Sequence, residues 1–431
     1  MPTKWDNLFG SGFLLTLTNE ERRYLGLNPL DTKWDTLELY SKTNYWHKRT
    51  TVFFDNDVII KVIYESKKIV NEEIRSESIS EYDTNIQTEN RTWVLPLTER
   101  GKKKKLNATS ISAYRPTGCI FGFGTSPKEE NSSGISVVNC VNNKHIAMGE
   151  TEKIRKIKND AEFHSFMKYY METCPEDYFD RIKELRESKH VTIKYNTGDI
   201  FRAEVDRFRY TYGIITGKVR EIRKWKELPK YHSLRNVMMV PILIRFYYIF
   251  TTDATLTAKD LAYLPLSRIK ICGDNDIIWG THKIVSHKEL QEDDIEFNLF
   301  CQKLPKSADN SKESAYETLS ANKYVRNNEP FNLYIEWGTA STILLWEDMT
   351  QDLKDYFSSY FSPHRSVATS VSYYDLWNKS SSKYKDNLLN DVNKEIREKL
   401  FECLQLKADA GFDDFSEKFG GLTKKEIISR L

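Results

Sequence analysis

Two carboxylates and two imidazoles fall within a short stretch at Asp274, Asp276, His282 and His287, with Trp279 between them. Residues of these types can ligate a metal ion, or supply the acid and base of a hydrolytic reaction. Their spacing argues against both. The histidines are five positions apart in a strand or loop context, which matches no usual ligand pair. Asp274 is instead expected in an Asx turn, Trp279 in a core and Gly280 in the turn that follows. No P-loop, GxGxxG, GxSxG or HExxH motif occurs, and no zinc-type Cys/His spacing. The fragments Gly10/Gly12 and Gly122/Gly124 lack a third glycine and a strand-to-helix context. The eight histidines are dispersed, with no HxH pair to seed a binuclear centre. The expectation is no catalytic residue, no cofactor and no metal, with a metal-dependent hydrolase as the weaker alternative.

Two lysine-rich segments could touch phosphates. Lys102 to Lys105 sit in a turn between strand-like runs, and a solvated loop is the preferred reading. Lys218, Arg220, Arg223, Lys224, Lys226 and Lys230 surround Trp225, close to His232 and Arg235. They could track a nucleic-acid backbone, face an acidic protein, or form the exposed end of a hairpin. The last is preferred. The 64 basic and 62 acidic side chains leave a formal charge of only +2, so no global field calls for nucleic acid.

A chain of 431 residues is long enough for two or three domains with proper cores, and 13% aromatic content excludes a disordered chain. Six scattered cysteines fit a reducing compartment. The N-terminus lacks a leader pattern, and the longest apolar run, Val237 to Ile244, falls far short of the roughly 20 residues that span a bilayer. A cytoplasmic protein without membrane contact is expected.

The fold class expected is α+β: two β-rich domains joined by amphipathic helices, with a C-terminal helical region. Residues 1–155 read as the first domain. It opens with a helix capped by Thr18, and a hairpin turns at Asp55-Asn56-Asp57. Glu72 to Thr92 shows no clear period. Residues 156–190 read as the connector, with two amphipathic helices broken at Cys174-Pro175. Residues 191–345 form the second domain. Within it Val237 to Phe250 reads as a strand buried on both faces, Ile269 to Ile271 and Asp276 to Trp279 as strands, His232 to Asn236 as a turn, and Pro305 to Leu319 as a loop or insertion. Residues 346–431 are the helical region. There Leu388, Val392, Ile396, Leu400 and Leu404 predict one helix of about 25 residues stopped at Gly411 and packed on the body, then a short helix from Thr423.

The stretch that organises the second domain is KYNTGDIFRAEVDRFRYTYGIITGKV, Lys194 to Val219. Alternation groups Ile200, Ala203, Val205, Phe208 and Tyr210, and Tyr212 to Val219 returns the chain as a hairpin. Gly198-Asp199 supplies turn chemistry, while Gly213 and Gly217 predict a bulge or a close backbone approach.

GDIFRAEV followed by YTYGIITGKV resembles the opening hairpin of the immunity protein 26 family, predicted antitoxins of bacterial polymorphic toxin systems. The likeness continues through MMVPILIRFYYI (Met238 to Ile249), DNDIIWGTHKIVSHKEL (Asp274 to Leu290) and YIEWG (Tyr334 to Gly338), over roughly residues 191–340. The resemblance implies an antitoxin fold that holds a toxin domain by surface complementarity, without catalysis. Arg207, Arg209 and Tyr212 on the hairpin, with Trp225 at its rim, are the expected partner-binding residues, because several large planar side chains share one strand-turn-strand unit. The segments on both sides depart from the usual single compact domain. They leave room for a defence or regulatory protein that binds nucleic acid.

Overall fold

The computed structural model describes residue 9 and residues 15–95, 101–126, 129–130, 132–237, 239–306, 311–320, 325, 329–359 and 388–431. Gly10, Gly12 and Met238 lie outside them. The architecture is α+β with a C-terminal helical region, and it divides into two compact units. One comprises Met1–Ile193, Glu204–Arg209 and Trp279–Thr281; the other comprises Lys194–Ala203, Tyr210–Ile278 and His282–Leu431.

In the first unit, strands β1 (Asp35–Thr43), β2 (Trp46–Asp55), β3 (Val58–Val70) and β4 (Glu73–Glu89) form an antiparallel meander, with the expected turn between Asp55 and Val58. Short strands β5 (Trp93–Val94) and β6 (Lys104–Lys105) continue one edge, and β7 (Cys119–Thr125) pairs with both β4 and β8 (Gly134–Asn139). The stretch in which no period is visible is thus a 17-residue strand. Its alternation is real, but the inward positions include Glu77 and Glu81 as well as Ile79. Lys67 pairs with Glu77, Lys61 with Glu81 and Asp83, and Arg22 with Glu81, all buried. A strand that buries carboxylates against cations from elsewhere in the chain carries no hydrophobic alternation to read.

Helix α1 (Asn19–Tyr24) starts at a Thr18/Glu21 capping box. With α2 (Asp160–Glu172) and α3 (Tyr178–Glu187) it covers one sheet face, where Phe163 meets Phe121 and Phe123 edge-on at 5.9 and 5.6 Å. Val52, Val62, Tyr82 and Ile86 form a separate cluster, capped by Leu106 and Ile111.

In the second unit a five-stranded sheet runs β12-β11-β10-β9-β13. Its strands are β9 (Asp199–Glu204), β10 (Tyr210–Lys218), β11 (Pro241–Phe246), β12 (Lys270–Gly273) and β13 (Lys283–His287). Every residue of β11 is buried: Ile242, Ile244 and Phe246 pack with Phe201 and Ile215, while Leu243 joins the larger core on the other side. Burial on both faces thus holds for Pro241–Phe246 but not for the whole of Val237 to Phe250, since Met239, Val240 and Tyr248 lie outside the strand and are exposed. A bulge falls at Ile215/Gly217 of β10, one of the two outcomes its glycines predict.

A second, three-stranded sheet holds β14 (Leu299–Pro305), β15 (Phe331–Trp337) and β16 (Ala340–Leu344). It shares its core with the C-terminal helices. The single long helix expected after Leu388 is instead a turn at Asp391–Asn393, helix α6 (Lys394–Cys403) and helix α7 (Phe412–Phe419); α4 (Lys312–Ser320) and α5 (Gln351–Ser359) precede them. Gln405 at φ +56°, with Leu406 N bonded to the Phe401 carbonyl at 2.8 Å, ends α6 in a left-handed cap. Gly411 opens α7 rather than closing the helix before it. Helix α8 (Lys424–Ile428) follows its Thr423 cap as expected.

Three other local readings change. Lys312–Ser320 is helical within a segment read as loop. Asn275–Ile278 is one helical turn rather than a strand, because the Asp274 carbonyl accepts from Ile277 N at 3.0 Å and Ile278 N at 2.9 Å. Ser233–Asn236 is likewise a helical turn.

Candidate partner-binding surface

The hairpin closes through five residues. Val205 N donates to the Arg209 carbonyl at 2.9 Å, and Asp206 Oδ1 accepts from the backbones of Phe208 and Arg209, both at 2.8 Å. Asp206 Oδ2 takes the Arg209 guanidinium at 2.6 and 2.8 Å. This D-x-x-R closure fixes the tip without glycine. It also moves Phe208 off the strand face expected for it: the residue is 39% exposed at the tip, beside an Arg209 side chain that is 41% exposed.

Arg207 points the other way. It is 3% exposed, lies 4.1 Å from the Tyr170 ring centroid, and donates to the Tyr170 carbonyl at 3.1 Å and to Thr173 Oγ1 at 2.7 Å. Glu150 stands 4.0 Å away as its counter-charge. An arginine whose stacking and hydrogen bonds are spent inward anchors the tip.

Tyr212 is fully buried in the second unit. Its hydroxyl donates to the Asp253 carbonyl at 2.8 Å and accepts from Leu256 N at 3.3 Å, which ties β10 to the loop after β11. Burial pushes its pKa up. Trp225 is half-buried against the large core and stands among exposed Lys224, Lys226 and Lys230. Beside it Arg430 makes two bonds to Glu227, at 2.6 and 3.0 Å, and this pairing holds the Glu227 carboxyl down to about 2.

Much of the basic set around Trp225 is already engaged. Arg223 donates to the carbonyls of Leu234 and Val237, Arg235 to those of Arg223, Trp225, Leu228 and Pro229, and Lys218 to that of Tyr195. These cations staple a loop from within. In the first unit Lys103 pairs with Glu89.

The Asp/His constellation splits: Asp276 and His282 stay neighbours, while Asp274 and His287 each take another partner. Asp274 accepts from the Tyr195 hydroxyl at 2.8 Å, and burial, then that carboxylate, raises the tyrosine pKa. His287 Nδ1 meets Asp199 at 2.8 Å. His282 lies flat on Phe201, with centroids 5.4 Å apart, and its Nε2 is 3.8 Å from Asp276. Trp279 is half-buried. Among the described residues, no three His, Cys, Asp or Glu side chains converge as a metal site would require.

Sequence reasoning missed the exposure of Phe208, for which the Asp206/Arg209 spacing is the available signal. It also missed Met239 at φ +68°, which with Val240 is nearly half exposed before β11; no local signal marks it. No helix among the described residues is long and apolar enough to cross a membrane.

No curated protein and no solved structure matches the chain. Residues 196–312, which carry the hairpin, the whole five-stranded sheet and β14, match the model of the family described as Immunity protein 26, the family this part of the sequence resembles.

Proposed function

We propose that the protein is an immunity protein, which binds a bacterial toxin domain in the cytoplasm and neutralises it by surface complementarity without chemistry of its own. The observation that carries this reading is the family match over residues 196–312, on a sheet whose acidic and imidazole side chains are engaged structurally. An interface of about 1,600 Å² with a few buried aromatic or arginine anchors is the usual scale for such binding. Of the four residues proposed for it, Arg209 and Trp225 make the contact, while Arg207 and Tyr212 hold the backbone that presents them.

The test is a pull-down of tagged protein from its native cells, followed by co-expression with whatever co-purifies stoichiometrically. A toxin-domain protein whose growth arrest is relieved by this chain supports the reading. Recovery of nucleic acid with steep salt dependence, or of no partner at all, refutes it.

A further inference from the structure

The second unit contains a cavity of about 380 Å³ that the partner-binding reading does not use. The family-matched segment supplies Arg245, Arg268, Asp293 and Glu296 to its wall, and the C-terminal helical region supplies Arg397 and Lys424. Four cationic side chains thus face two carboxylates, an excess of two positive charges.

The excess has a definite location. Arg245 is 8% exposed, gives its guanidinium to the carbonyls of Ser267, Asp293 and Asp294, and pairs with Glu296 at 3.1 Å. Arg268 reaches the same Glu296 at 2.7 Å and the Leu389 carbonyl at 2.9 Å. Both are therefore satisfied. Arg397 donates to the carbonyls of Leu388 and Asn390 through one nitrogen, and the backbone N–H of the half-buried Lys424 donates to Asp413 Oδ1 at 2.8 Å, but among the described residues neither the Arg397 guanidinium nor the Lys424 ammonium forms an ion pair. Half-buried cations whose charged groups form no ion pair, on the wall of a space of ligand size, favour an anion there.

Part of the wall is aromatic. Phe412 stacks on Phe297 at 5.7 Å and meets Trp337 edge-on at 5.7 Å, while the indole N–H is held by the Phe297 carbonyl. A flat apolar group can lie against this wall while an anion meets Arg397 and Lys424.

We propose that this cavity binds a small phosphate monoester carrying a flat ring, a ligand of mononucleotide class. A phosphate monoester carries a charge of about −1.5 to −2 near neutral pH, enough to meet both the Arg397 guanidinium and the Lys424 ammonium; a monocarboxylate supplies about half of it. The guanidinium fork of Arg397 and the point charge of Lys424 are the usual pair of phosphate donors. The cavity also gives the C-terminal helices a role beyond covering the core, since without them it has neither the free cations nor the Phe412 wall. This inference stands apart from toxin binding.

The experiment is calorimetric titration of the full chain, without partner, using AMP, phenyl phosphate, adenosine and inorganic phosphate. Saturable binding of AMP or phenyl phosphate, none of adenosine, and a loss of at least about tenfold in Lys424→Ala and Arg397→Met are expected. Lys424→Ala removes no hydrogen bond made by that side chain among the described residues, so it reads the site even if Arg397→Met unfolds. The proposal is overturned by the absence of saturable binding of either ester up to ~10 mM, or by binding that both variants retain in full. Loss of toxin affinity in Lys424→Ala without any ester binding also overturns it, and gives the cavity to an acidic element of the partner.

Discussion

The Phe201 ring lies across Gly213: a Cβ on that glycine would stand 2.5 Å from Phe201 Cζ and 3.1 Å from the Arg245 carbonyl. β9 therefore packs its aromatic side chain into the space that β10 leaves by having none. His282 stacks on the same ring, and Phe246 meets it edge-on at 5.6 Å. Gly198, at φ +90°, serves the other end of the hairpin, where a Cβ would collide with the Lys288 carbonyl at 2.4 Å.

Gly213→Ala is expected to destabilise the protein by about 1–3 kcal/mol, the usual cost of overpacking a closed core. Gly134→Ala, where nothing lies within 4 Å of the added methyl, should leave the urea midpoint nearly unchanged. Equal midpoints for the two variants would show that the Phe201 contact is not tight.

Lys61 is fully buried, 2.9 Å from Glu81 and 2.6 Å from Asp83, and Arg22 shares Glu81 at 2.7 Å. Lys61→Ala leaves two carboxylates against a single guanidinium. A loss of about 3–5 kcal/mol is expected from breaking a buried pair on one side. Denaturant titration of the full chain checks it, and a loss under about 1 kcal/mol would mean that water reaches the group.

Among the hairpin residues, Arg207→Ala should act on stability, since it removes two inward hydrogen bonds and a stacked cation. Trp225→Ala should act on the partner, weakening binding by about tenfold or more as a central anchor, while Arg209→Ala should lower both affinity and stability, since it also removes the closure on Asp206. Measuring affinity and urea midpoint for all three separates the roles. Arg207→Ala changing affinity alone, or Trp225→Ala changing stability alone, would reverse the assignment.

The Glu227–Arg430 pair carries a pH signature. The guanidinium lowers the Glu227 pKa from 4.5 to about 2, so the pair contributes fully above the ordinary carboxylate range. Its contribution is lost as pH falls from about 4.5 towards 2. The hydrogen-exchange protection of residues 424–431, taken relative to the intrinsic rate at each pH, should fall over that window in the native protein. Glu227→Gln should show the lower protection already at neutral pH, and identical profiles would mean that the clip does not hold the C-terminal helix.

The α+β class, the glycine-punctuated hairpin, the buried strand β11, the two helices flanking Cys174-Pro175 and the family resemblance are all carried by local features of the sequence. Alternation, caps and turn residues act over fewer than about ten positions, and so they can be read directly. What tertiary structure alone decided lies at longer range. β4 is invisible because Glu77, Glu81 and Asp83 face inward to cations on β3 and, for Glu81, to Arg22, 59 residues away. Arg207 and Arg209 have the same chemistry two positions apart, yet one turns to Tyr170 and the other closes on Asp206. Arg397 and Lys424 come to share a cavity with Arg245 only when the C-terminal helices pack on the three-stranded sheet. A charged side chain is read as surface until the group that neutralises it is known, and that group is chosen by the fold.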